Sequence, residues 1–332
     1  MNSSEIDAVV TWVDGNDPRH IERRQATQKK CQKLDIKYTP SGRSTIRFTD
    51  NNEVEYCLRG IRKFMPWVRT IFLVTDEQRP RFLTEELRLR LGVQVVDHRH
   101  IFAGHEGALP TFNSISIGTV LHRIPGLAPK YIYLNDDVIP VAPSVPENFF
   151  IHAGVVVRGK WINERTTHPP TALMAAALRM ANFLSRKDRS AHVLAQMHAA
   201  RMAGFRDRYY KSFHAPHPVR TETLRGYFQR HPIEFERNIK YPFRNLDQFV
   251  AHPLAHHLEA AMGTLVPHDG SDCITLSFGN SSDTEKNLPR LANSTTKFIC
   301  LQSLELATDN TKEAVLEFLN GRIMNSISAS EF

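Results

Sequence analysis

The amino-acid sequence predicts an α/β protein built on a doubly wound, mostly parallel sheet with a helical insertion. Through the first 150 residues, apolar strand patterns alternate with helix patterns, and this alternation implies parallel pairing with right-handed crossovers. Residues 160–212 are rich in Ala, Leu and Met with interspersed Arg, which indicates helices that cap the sheet. We therefore divide the chain into an α/β half at 1–150, a helical insertion at 151–212 and a C-terminal part at 213–332 that completes the same domain.

The first strand pattern is Ile6 to Val13, a β-branched and aromatic run that Asp14 and Gly15 follow at once. Asp17 can cap a helix whose first position is Pro18. Gly15 allows a close backbone approach in this strand-turn-helix unit, and the helix N-terminus offers donors that suit a phosphate. The chain contains neither G-x-G-x-x-G nor G-x-x-x-x-G-K-[ST], which argues against a dinucleotide dehydrogenase and a P-loop kinase.

The remaining elements follow from the same kinds of pattern. Thr49-Asp50 followed by Glu53 predicts a helix start, and Pro66 ends that helix. We predict further strands at Ile71 to Thr75, Val93 to Val96, from Tyr131, Ile274 to Phe278 and Phe298 to Leu301, and further helices at Ser114 to Arg123, Ala172 to Phe183, Ala191 to Phe205 and Thr311 to Arg322.

Asp136 and Asp137 stand at the C-terminal end of the strand that begins at Tyr131, where the ligands of open α/β sheets bind. Adjacent acids on an extended chain point to opposite sides, and two like charges held together are unfavourable unless a cation or hydrogen bonds compensate. One interpretation is a divalent metal site. The other is a solvated turn, which Asn and Asp favour for local hydrogen-bonding reasons. This motif alone leaves the two equally open.

Composition restricts the class of protein. The chain has 332 residues, of which 41% are hydrophobic and 23% charged, as in a globular protein that buries a substantial core in one or two domains. Its formal charge of +7 suits polyanions, phosphorylated substrates or an anionic membrane surface, and also an ordinary basic surface.

The cysteines and the N-terminus bear on the compartment. The 4 cysteines are far apart and form no C-x-x-C, which argues against a zinc ribbon or a dense disulfide scaffold and favours a reducing compartment. There is neither a signal-like N-terminus nor an apolar run long enough to span a membrane. We therefore expect a cytoplasmic protein whose membrane contact is at most peripheral, at the inner face.

Two histidines, His214 and His217, are spaced three residues apart in a segment stiffened by Pro216 and Pro218. An H-x-x-H pair can ligate metal or catalyse, but the prolines argue against a single helical face, and packing histidines are common. Downstream, a cationic cluster suited to phosphate surrounds Asp247. Its members are Arg237, Lys240 and Arg244.

Together, four blocks of the sequence resemble the Stealth family. This family includes bacterial capsule polymerases that transfer a hexose 1-phosphate and the animal GlcNAc-1-phosphotransferase that begins the mannose 6-phosphate tag on lysosomal enzymes. The blocks are IDAVVTWVDGNDP (Ile6 to Pro18); RFTDNNEVEYCLRGIRKFMPWVRTIFLVTDEQRP (Arg47 to Pro80) with LPTFNSISIGTVLHRIPGLAPKYIYLNDDV (Leu109 to Val138); HAPHPVRTETLRGYFQRHPIEFE (His214 to Glu236) with Arg244; and KFICL (Lys297 to Leu301). Such a long ordered match is more specific than any one motif in it.

The resemblance implies a Rossmann-like, glycosyltransferase-like fold and a reaction. An acceptor sugar hydroxyl attacks the β-phosphorus of a nucleotide sugar, commonly a UDP-sugar such as UDP-GlcNAc, and the nucleoside monophosphate leaves. The resemblance further implies that Asp136 and Asp137 hold Mg²⁺ or Mn²⁺, with Asp137 catalytic. Arg244 then clamps the phosphate, and His214 deprotonates the acceptor hydroxyl. We expect the donor to contact Trp12, Asp14, Gly15, Asn113 and Asn135.

The expected partners are the nucleotide-sugar donor and a polyanionic oligosaccharide or polysaccharide acceptor, with N-acetylhexosamine 1-phosphate transferred into capsular or cell-surface polysaccharide. A peripheral membrane or capsule-assembly complex is compatible with this chemistry, and no nucleic-acid partner is expected. One departure from the family is that Gln302-Ser303 follows Leu301, where relatives usually have Asn-Asp. If that acid has a role, it is missing here or is taken by Glu305 or Asp309.

Two alternatives stay open at this stage. The first is a metal-dependent glycosyltransferase that uses Asp136 and Asp137 in a D-x-D-like role and releases a nucleoside diphosphate. The second is a polyanion-binding protein on a catalytically inactive fold, which the +7 charge and the Gln302-Ser303 departure would suit.

Overall fold

A computed structural model describes residues 5–35, 51–152, 154–163, 189–279 and 286–324, with single positions at 39, 48, 173, 176–177, 180 and 284. The strands of this part are β1 (Ile6–Thr11), β2 (Ile71–Thr75), β3 (Val93–Asp97), β4 (Lys130–Asn135), β5 (Val138–Pro140), β6 (Phe150–Ile151), β7 (Gly154–Asn163), β8 (Arg208–Ser212), β9 (His217–Arg220), β10 (Leu265–His268), β11 (Cys273–Ser277) and β12 (Phe298–Gln302). The helices are α1 (Pro18–Lys33), α2 (Glu53–Phe64), α3 (Glu85–Leu91), α4 (His98–Ile101), α5 (Ser114–Val120), α6 (Arg189–Met202), α7 (Thr221–Arg230), α8 (Pro232–Ile239), α9 (Ala251–Ala261) and α10 (Asp309–Leu319).

The central sheet has the strand order β3-β2-β1-β4-β9. The first four strands are parallel, and only β9 runs antiparallel, against β4. Alternate residues of β1 enter two separate cores: Ala8 and Val10 pack in the cluster that includes Leu58 of α2, whereas Val9 packs in the cluster that includes Val120 of α5. Helices therefore cover both faces, and the predicted doubly wound, mostly parallel α/β fold is confirmed.

Two smaller sheets complete the described architecture. One has the order β10-β7-β6, and β8 pairs with the far half of β7 to form a two-stranded ribbon. The other has the order β11-β12-β5, with β12 antiparallel to β5. Since only Asp136 and Asp137 separate β4 from β5, these two acids lie where the central sheet meets the β11-β12-β5 sheet.

Several predicted boundaries shift for physical reasons. The first strand ends at Thr11, the last of its residues with a partner on β4. The helix predicted from Ser114 is α-helical only to Val120 and ends in a 3-10 turn over Leu121–Arg123. The closing helix begins at Asp309, because the Thr308 hydroxyl caps it by accepting the Thr311 N–H.

The predicted insertion is described only in part. Its second helix is α6, whereas most of the helix predicted at 172–183 and the helix start at 49–50 lie outside the described residues. The β7–β8 ribbon was not predicted.

At the edge of the central sheet where β1, β2 and β4 begin, Asp7 holds the strand starts together. It is fully buried, and Arg69 donates to its carboxylate from Nε at 2.9 Å and Nη2 at 2.6 Å. The main-chain N–H groups of Thr70 and Ala128 donate to the same carboxylate. This acid therefore has a complete set of partners, and its role is structural. In the described part of the chain, no helix combines the length and the apolar character needed to cross a membrane.

Candidate active site

The carboxyl ends of β1, β2 and β4 meet at one edge of the central sheet because these strands are parallel neighbours. Thr11 pairs with Asn135, so the loop that begins at Trp12 lies beside Asp136 and Asp137. The first and second blocks of the sequence therefore converge at this edge, as the alternation of strands and helices predicts.

Asp137 is a half-buried acid at this edge, and one of its carboxylate oxygens has no cation or hydrogen-bond donor beside it among the described residues. Its Oδ2 lies 3.6 Å from the Cys300 thiol, whereas its Oδ1 is shielded from solvent and has no hydrogen-bond partner among the described residues. Burial raises the pKa of Asp137 to about 7; the Cys300 contact opposes this shift, and the Glu53 charge adds to it. Ionising such a carboxyl is costly unless a cation neutralises it.

This buried, unpartnered oxygen fits the expected divalent metal. Asp136 is half-buried on the same turn and has its own interaction partner in the structure. The described residues hold no group of three His, Cys, Asp or Glu side chains placed to bind a metal ion. Mg²⁺ is commonly held by one or two carboxylates together with substrate phosphates and water, so the assignment of Asp136 and Asp137 stays a prediction.

The loop after β1 is fixed by its own polar groups. Asp14 Oδ1 accepts the Asn16 N–H at 2.8 Å, and Asp17 Oδ1 accepts the Arg19 N–H at 2.8 Å, which confirms the predicted cap of α1. Position 15 requires glycine because its backbone lies close to that of Phe48. A Cβ on Gly15 would lie 2.0 Å from the Phe48 carbonyl oxygen. The glycine therefore packs one loop against another segment of this chain.

Gln78 is a site residue that the sequence analysis missed. It lies after β2 and is buried, with its amide placed against Asp14 and Asp17 of the neighbouring loop. The sequence signal that could have found it is its position just past the carboxyl end of a parallel strand.

Trp12 follows directly after β1, and Asn135 is the last residue of β4. The Trp12 indole N–H is buried and has no hydrogen-bond partner in the described part of the chain. The Asn135 side-chain oxygen accepts the Tyr133 hydroxyl at 2.7 Å, and that hydroxyl lies 3.2 Å from Thr11 Oγ1. Burial raises the pKa of Tyr133 to about 12, so its hydroxyl stays protonated. Donor binding by Trp12, Asp14, Gly15 and Asn135 stays a prediction.

Arg244 reaches this edge from the third block. Its Nη2 donates to the Ser114 hydroxyl at 2.5 Å, and its carbonyl accepts the Thr39 N–H at 2.8 Å. The charge of Arg244 lowers the pKa of Tyr133, whereas the charge of Asp136 raises it. Arg244 and Asp136, which are distant in the sequence, therefore both lie near enough to Tyr133 to shift the pKa of its hydroxyl, in opposite directions.

A buried amide network holds the Arg244 segment against α5. Asn113 Nδ2 donates to the Gln248 side chain at 2.9 Å and to the Tyr241 carbonyl at 3.0 Å, while Asn113 Oδ1 caps α5 at Ile115. Gln248 in turn donates to Ser116. Asn113 is fully buried, so its observed contacts are structural, and its expected contact with the donor stays a prediction.

His214 and His217 have different environments. His217 is buried in β9, where it pairs with Tyr133 of β4 and stacks on His252 with ring centroids 4.0 Å apart. His214 lies three residues earlier; the residue reaches the surface, but its ring is partly covered and stacks on His192 of α6 with ring centroids 6.0 Å apart. Partial burial of the ring lowers the pKa of His214, and the Lys211 charge lowers it further.

The register of β9 places His214 at the same edge as the acids. His217 lies opposite Tyr133 in an antiparallel pair, so continuing this register past the end of β4 brings His214 level with Asp136. A neutral imidazole at this position can accept a proton. The catalytic roles of His214, Asp137 and Arg244 stay predictions.

The departure from the fourth block also lies at this edge. The Leu301 N–H donates to the Asp137 carbonyl at 2.9 Å, so Gln302 and Ser303 follow directly beside the acids. Glu305 is half-buried, and its Oε1 has no hydrogen-bond partner in the described part of the chain, whereas Asp309 is exposed at the start of α10. Of the two acids that could replace the missing one, Glu305 therefore has a shielded oxygen without a hydrogen-bond partner among the described residues, whereas Asp309 faces solvent.

Comparison with known proteins gives two family matches and several relatives. The model of Stealth protein CR1, conserved region 1, matches residues 4–30, and that of Stealth protein CR2, conserved region 2, matches residues 47–157. An exopolysaccharide phosphotransferase of Streptomyces coelicolor is 34% identical over 267 residues, which are 79% of this chain and 26% of that protein. A capsular polysaccharide phosphotransferase of Actinobacillus suis is 38% identical over 155 residues, which are 47% of this chain and 40% of that protein.

The chain thus spans about a quarter of the Streptomyces relative and about two fifths of the Actinobacillus relative. The structure of a galactosyltransferase, LgtC, with donor and acceptor sugar analogs is 12% identical, covers 97% of this chain and 98% of its own, and has a TM-score of 0.44, at which the likeness supports no inference. The chain thus matches two conserved regions of the Stealth family, which contain the Asp14 loop and the Asp136-Asp137 turn.

Proposed function

We propose that this chain transfers a hexose 1-phosphate from a nucleotide sugar to a sugar hydroxyl, and so forms phosphodiester-linked polysaccharide. The observation that carries the proposal is the buried, unpartnered Oδ1 of Asp137 at the edge shared by the Asp14 loop, His214 and Arg244. The phosphotransferase names of relatives at 34% to 38% identity support the same reaction class.

The reaction exchanges one oxygen for another at phosphorus. The acceptor hydroxyl oxygen forms a bond to the β-phosphorus, which already carries the hexose through its C1 oxygen. The bond from that phosphorus to the oxygen bridging to the α-phosphate breaks, and the nucleoside monophosphate leaves with the bonding electrons. His214 accepts the hydroxyl proton on a ring nitrogen, because its lowered pKa keeps the imidazole neutral.

The other residues position the reactants and neutralise their charge. Arg244 binds non-bridging phosphate oxygens through its planar guanidinium, which Ser114 orients. Asp136 and Asp137 would hold Mg²⁺ or Mn²⁺, which when bound supplies positive charge to the phosphates of the donor. Phosphoryl transfer depends chiefly on such positioning and charge neutralisation.

The donor that we propose is a UDP-N-acetylhexosamine, bound by the loop after β1. Trp12 contributes its unpartnered indole N–H, and Asp14 and Gly15 form the turn before the N-terminus of α1. The acceptor is a polyanionic oligosaccharide, which suits the charge of +7. Because the four cysteines are free, we place the reaction in the reducing cytoplasm, near the inner face of the membrane.

The decisive experiment identifies the nucleotide that is released. Purified protein is incubated with a panel of nucleotide sugars, Mg²⁺ or Mn²⁺, and capsular oligosaccharides, and the products are separated. We expect a nucleoside monophosphate and a glycan that gains both sugar and phosphorus. Release of a nucleoside diphosphate would instead identify an ordinary glycosyltransferase, and glycan binding without any turnover would identify a binding protein.

A further inference from the structure

The β7–β8 ribbon holds two positive charges together beside the candidate active site. Lys160 and Lys211 lie directly opposite each other on the two antiparallel strands, and both side chains are exposed. Like charges at directly opposite positions destabilise a strand pair. No acid forms an ion pair with either ammonium group within the part of the chain that the structure describes.

Buried neighbours fix the register that creates this pair. Tyr209 and Tyr210 are fully buried, the Tyr210 N–H donates to His257 Nε2 at 2.8 Å, and the Tyr210 hydroxyl donates to the Val157 carbonyl at 2.8 Å. A Cβ on Gly159 would lie 2.5 Å from the Lys211 carbonyl oxygen, so the strands approach closely next to the lysines. A slip of register would break both hydrogen bonds of Tyr210, so the fold holds the two charges in place.

The lysine pair is adjacent to the proposed base. Lys211 lies three residues before His214, and its ammonium is near enough to lower the pKa of that imidazole. Arg206 and Arg208 are also exposed on the same segment, with the Arg208 guanidinium over the Trp161 ring at 4.5 Å. The segment that leads to His214 therefore exposes three cations, Arg206, Arg208 and Lys211, against one acid, Asp207.

We propose that Lys160 and Lys211 form a subsite for an anionic group of the acceptor glycan, namely a phosphodiester of the growing chain. This assignment rests on the proposed function, since it takes His214 as the group that receives the proton of the acceptor hydroxyl. A phosphodiester placed between the two ammonium groups would relieve their repulsion and would hold the terminal sugar next to His214. The subsite would select glycans that already contain phosphodiesters over neutral glycans.

The test measures glycan binding in the absence of donor. The double variant Lys160→Gln/Lys211→Gln is compared with Lys29→Gln/Lys33→Gln, which removes the same two charges from exposed positions on α1. Each protein is titrated with a phosphodiester-linked capsular oligosaccharide and with a neutral dextran oligosaccharide of matched length. At low ionic strength we expect the ribbon variant to bind the phosphodiester glycan about tenfold more weakly, and the difference to shrink at high salt. The α1 variant and all binding to dextran should not change.

Three results would overturn the subsite: unchanged affinity of the ribbon variant for the phosphodiester glycan, an equal loss on dextran, or an equal loss in the α1 variant. Loss of binding to anionic phospholipid vesicles with unchanged glycan binding would assign the lysines to a membrane surface instead. Because no donor is present, the binding result does not depend on turnover. A protein that never turns over a nucleotide sugar but binds glycan through these lysines would refute the proposed function and keep the subsite.

Discussion

Gln78 holds Asp14 at both of its main-chain polar groups. The Gln78 side-chain oxygen accepts the Asp14 N–H at 2.9 Å, and Gln78 Nε2 donates to the Asp14 carbonyl at 2.9 Å. The same nitrogen lies 3.2 Å from Asp17 Oδ2. Because Gln78 follows β2 and Asp14 follows β1, one buried amide fixes the loop that we assign to donor binding against the next strand of the sheet.

Gln78→Ala should therefore weaken donor binding more than it slows the chemical step. The substitution leaves the polar groups of Asp14 without partners, at a cost to stability of about 1–3 kcal/mol for a buried group. We expect the KM for the nucleotide sugar to rise roughly tenfold with a smaller change in kcat. Gln78→Glu should be no better, because a carboxylate cannot donate to the Asp14 carbonyl and adds a negative charge beside Asp17.

The control for Gln78 is Gln25→Ala, at an exposed position on α1, which should leave KM, kcat and the melting temperature unchanged. A Gln78→Ala enzyme with a normal donor KM would show that the loop does not bind the donor.

Asp137 and Asp7 form a matched pair of acids at opposite edges of the sheet. Asp137→Asn should abolish transfer, because an amide cannot neutralise a divalent cation, but it should keep or raise the melting temperature, because it removes a carboxyl that is costly to ionise. Asp7→Asn should do the reverse for stability and lose about 3–5 kcal/mol, since it removes the buried carboxylate that pairs with Arg69 and leaves that guanidinium only the more exposed Glu5.

Thermal unfolding and activity, each with and without EDTA, test the pair. Transfer of hexose 1-phosphate that persists both in EDTA and in Asp137→Asn would contradict the metal assignment. Equal losses of stability in the two variants would show that Asp137 is structural.

Strong local signals in the sequence predict one part of the fold, whereas contacts between distant segments determine the rest. The apolar runs of β1 and β4 and the acids after β4 could be predicted, because strands buried on both faces read as continuous hydrophobic stretches. The contacts of Gln78 could not, since its partners on the β1 loop are more than 60 residues away; only its position just past the end of β2 could have marked it. The β7–β8 ribbon was missed for a similar reason: its pairing depends on the burial of Tyr209 and Tyr210, which only the tertiary structure shows.

Burial also separated residues that look alike in the sequence. His214 and His217 form one H-x-x-H motif, but β9 buries only His217. The sequence predicts that Asn113 contacts the donor, but in the structure its side-chain amide donates hydrogen bonds to Gln248 and Tyr241. Periodicity and spacing carry no information on such contacts between distant segments.

Arg244 should depend on the shape of its side chain as well as on its charge. Arg244→Lys keeps the charge but loses the planar group that donates to the Ser114 hydroxyl and that we assign to two phosphate oxygens. We expect kcat/KM to fall by about tenfold or more. Ser114→Ala, which removes only the orienting contact, should give a smaller loss. A lysine variant with a near-normal rate would mean that Arg244 does not touch the phosphate.

The buried histidines should make the fold sensitive to acid. His256 is fully buried; its Nε2 lies 3.1 Å from the Pro218 carbonyl, to which it donates, and its Nδ1 lies 3.0 Å from the Ser212 hydroxyl. Burial lowers the pKa of His256 from the usual 6.5 to about 3; the Pro218 hydrogen bond opposes this shift, and the His257 charge adds to it. Between these values the unfolded chain binds a proton that the folded chain does not, so stability is full above pH 6.5 and falls as the pH drops towards 3.

The measurement is the melting temperature against pH for the protein and for His256→Gln, which retains a donor but cannot titrate. Each proton bound only by the unfolded chain contributes about 1.4 kcal/mol per pH unit, so the glutamine variant should show a shallower decline. The control is His100→Gln, at an exposed position, which should reproduce the original slope. Identical slopes for all three proteins would exclude His256 as a source of the acid sensitivity.

The kinetic prediction for His214 is the sharpest. Loss of a general base, of a hydrogen-bond donor to phosphate and of a packing ring would each change kcat, donor affinity and stability differently. If His214 accepts the hydroxyl proton, His214→Ala should lower kcat by roughly 10²–10⁴ and leave donor affinity nearly unchanged. Since burial and the Lys211 charge lower the pKa of His214, the acid limb of the rate profile should lie below pH 6.5 and should vanish in the alanine variant. His217→Ala should cost less catalysis and more stability, because that ring is buried against His252. A His214→Ala enzyme with weakened donor binding and normal kcat would instead place His214 in the donor pocket, and the base would have to be sought among the carboxylates near Asp136.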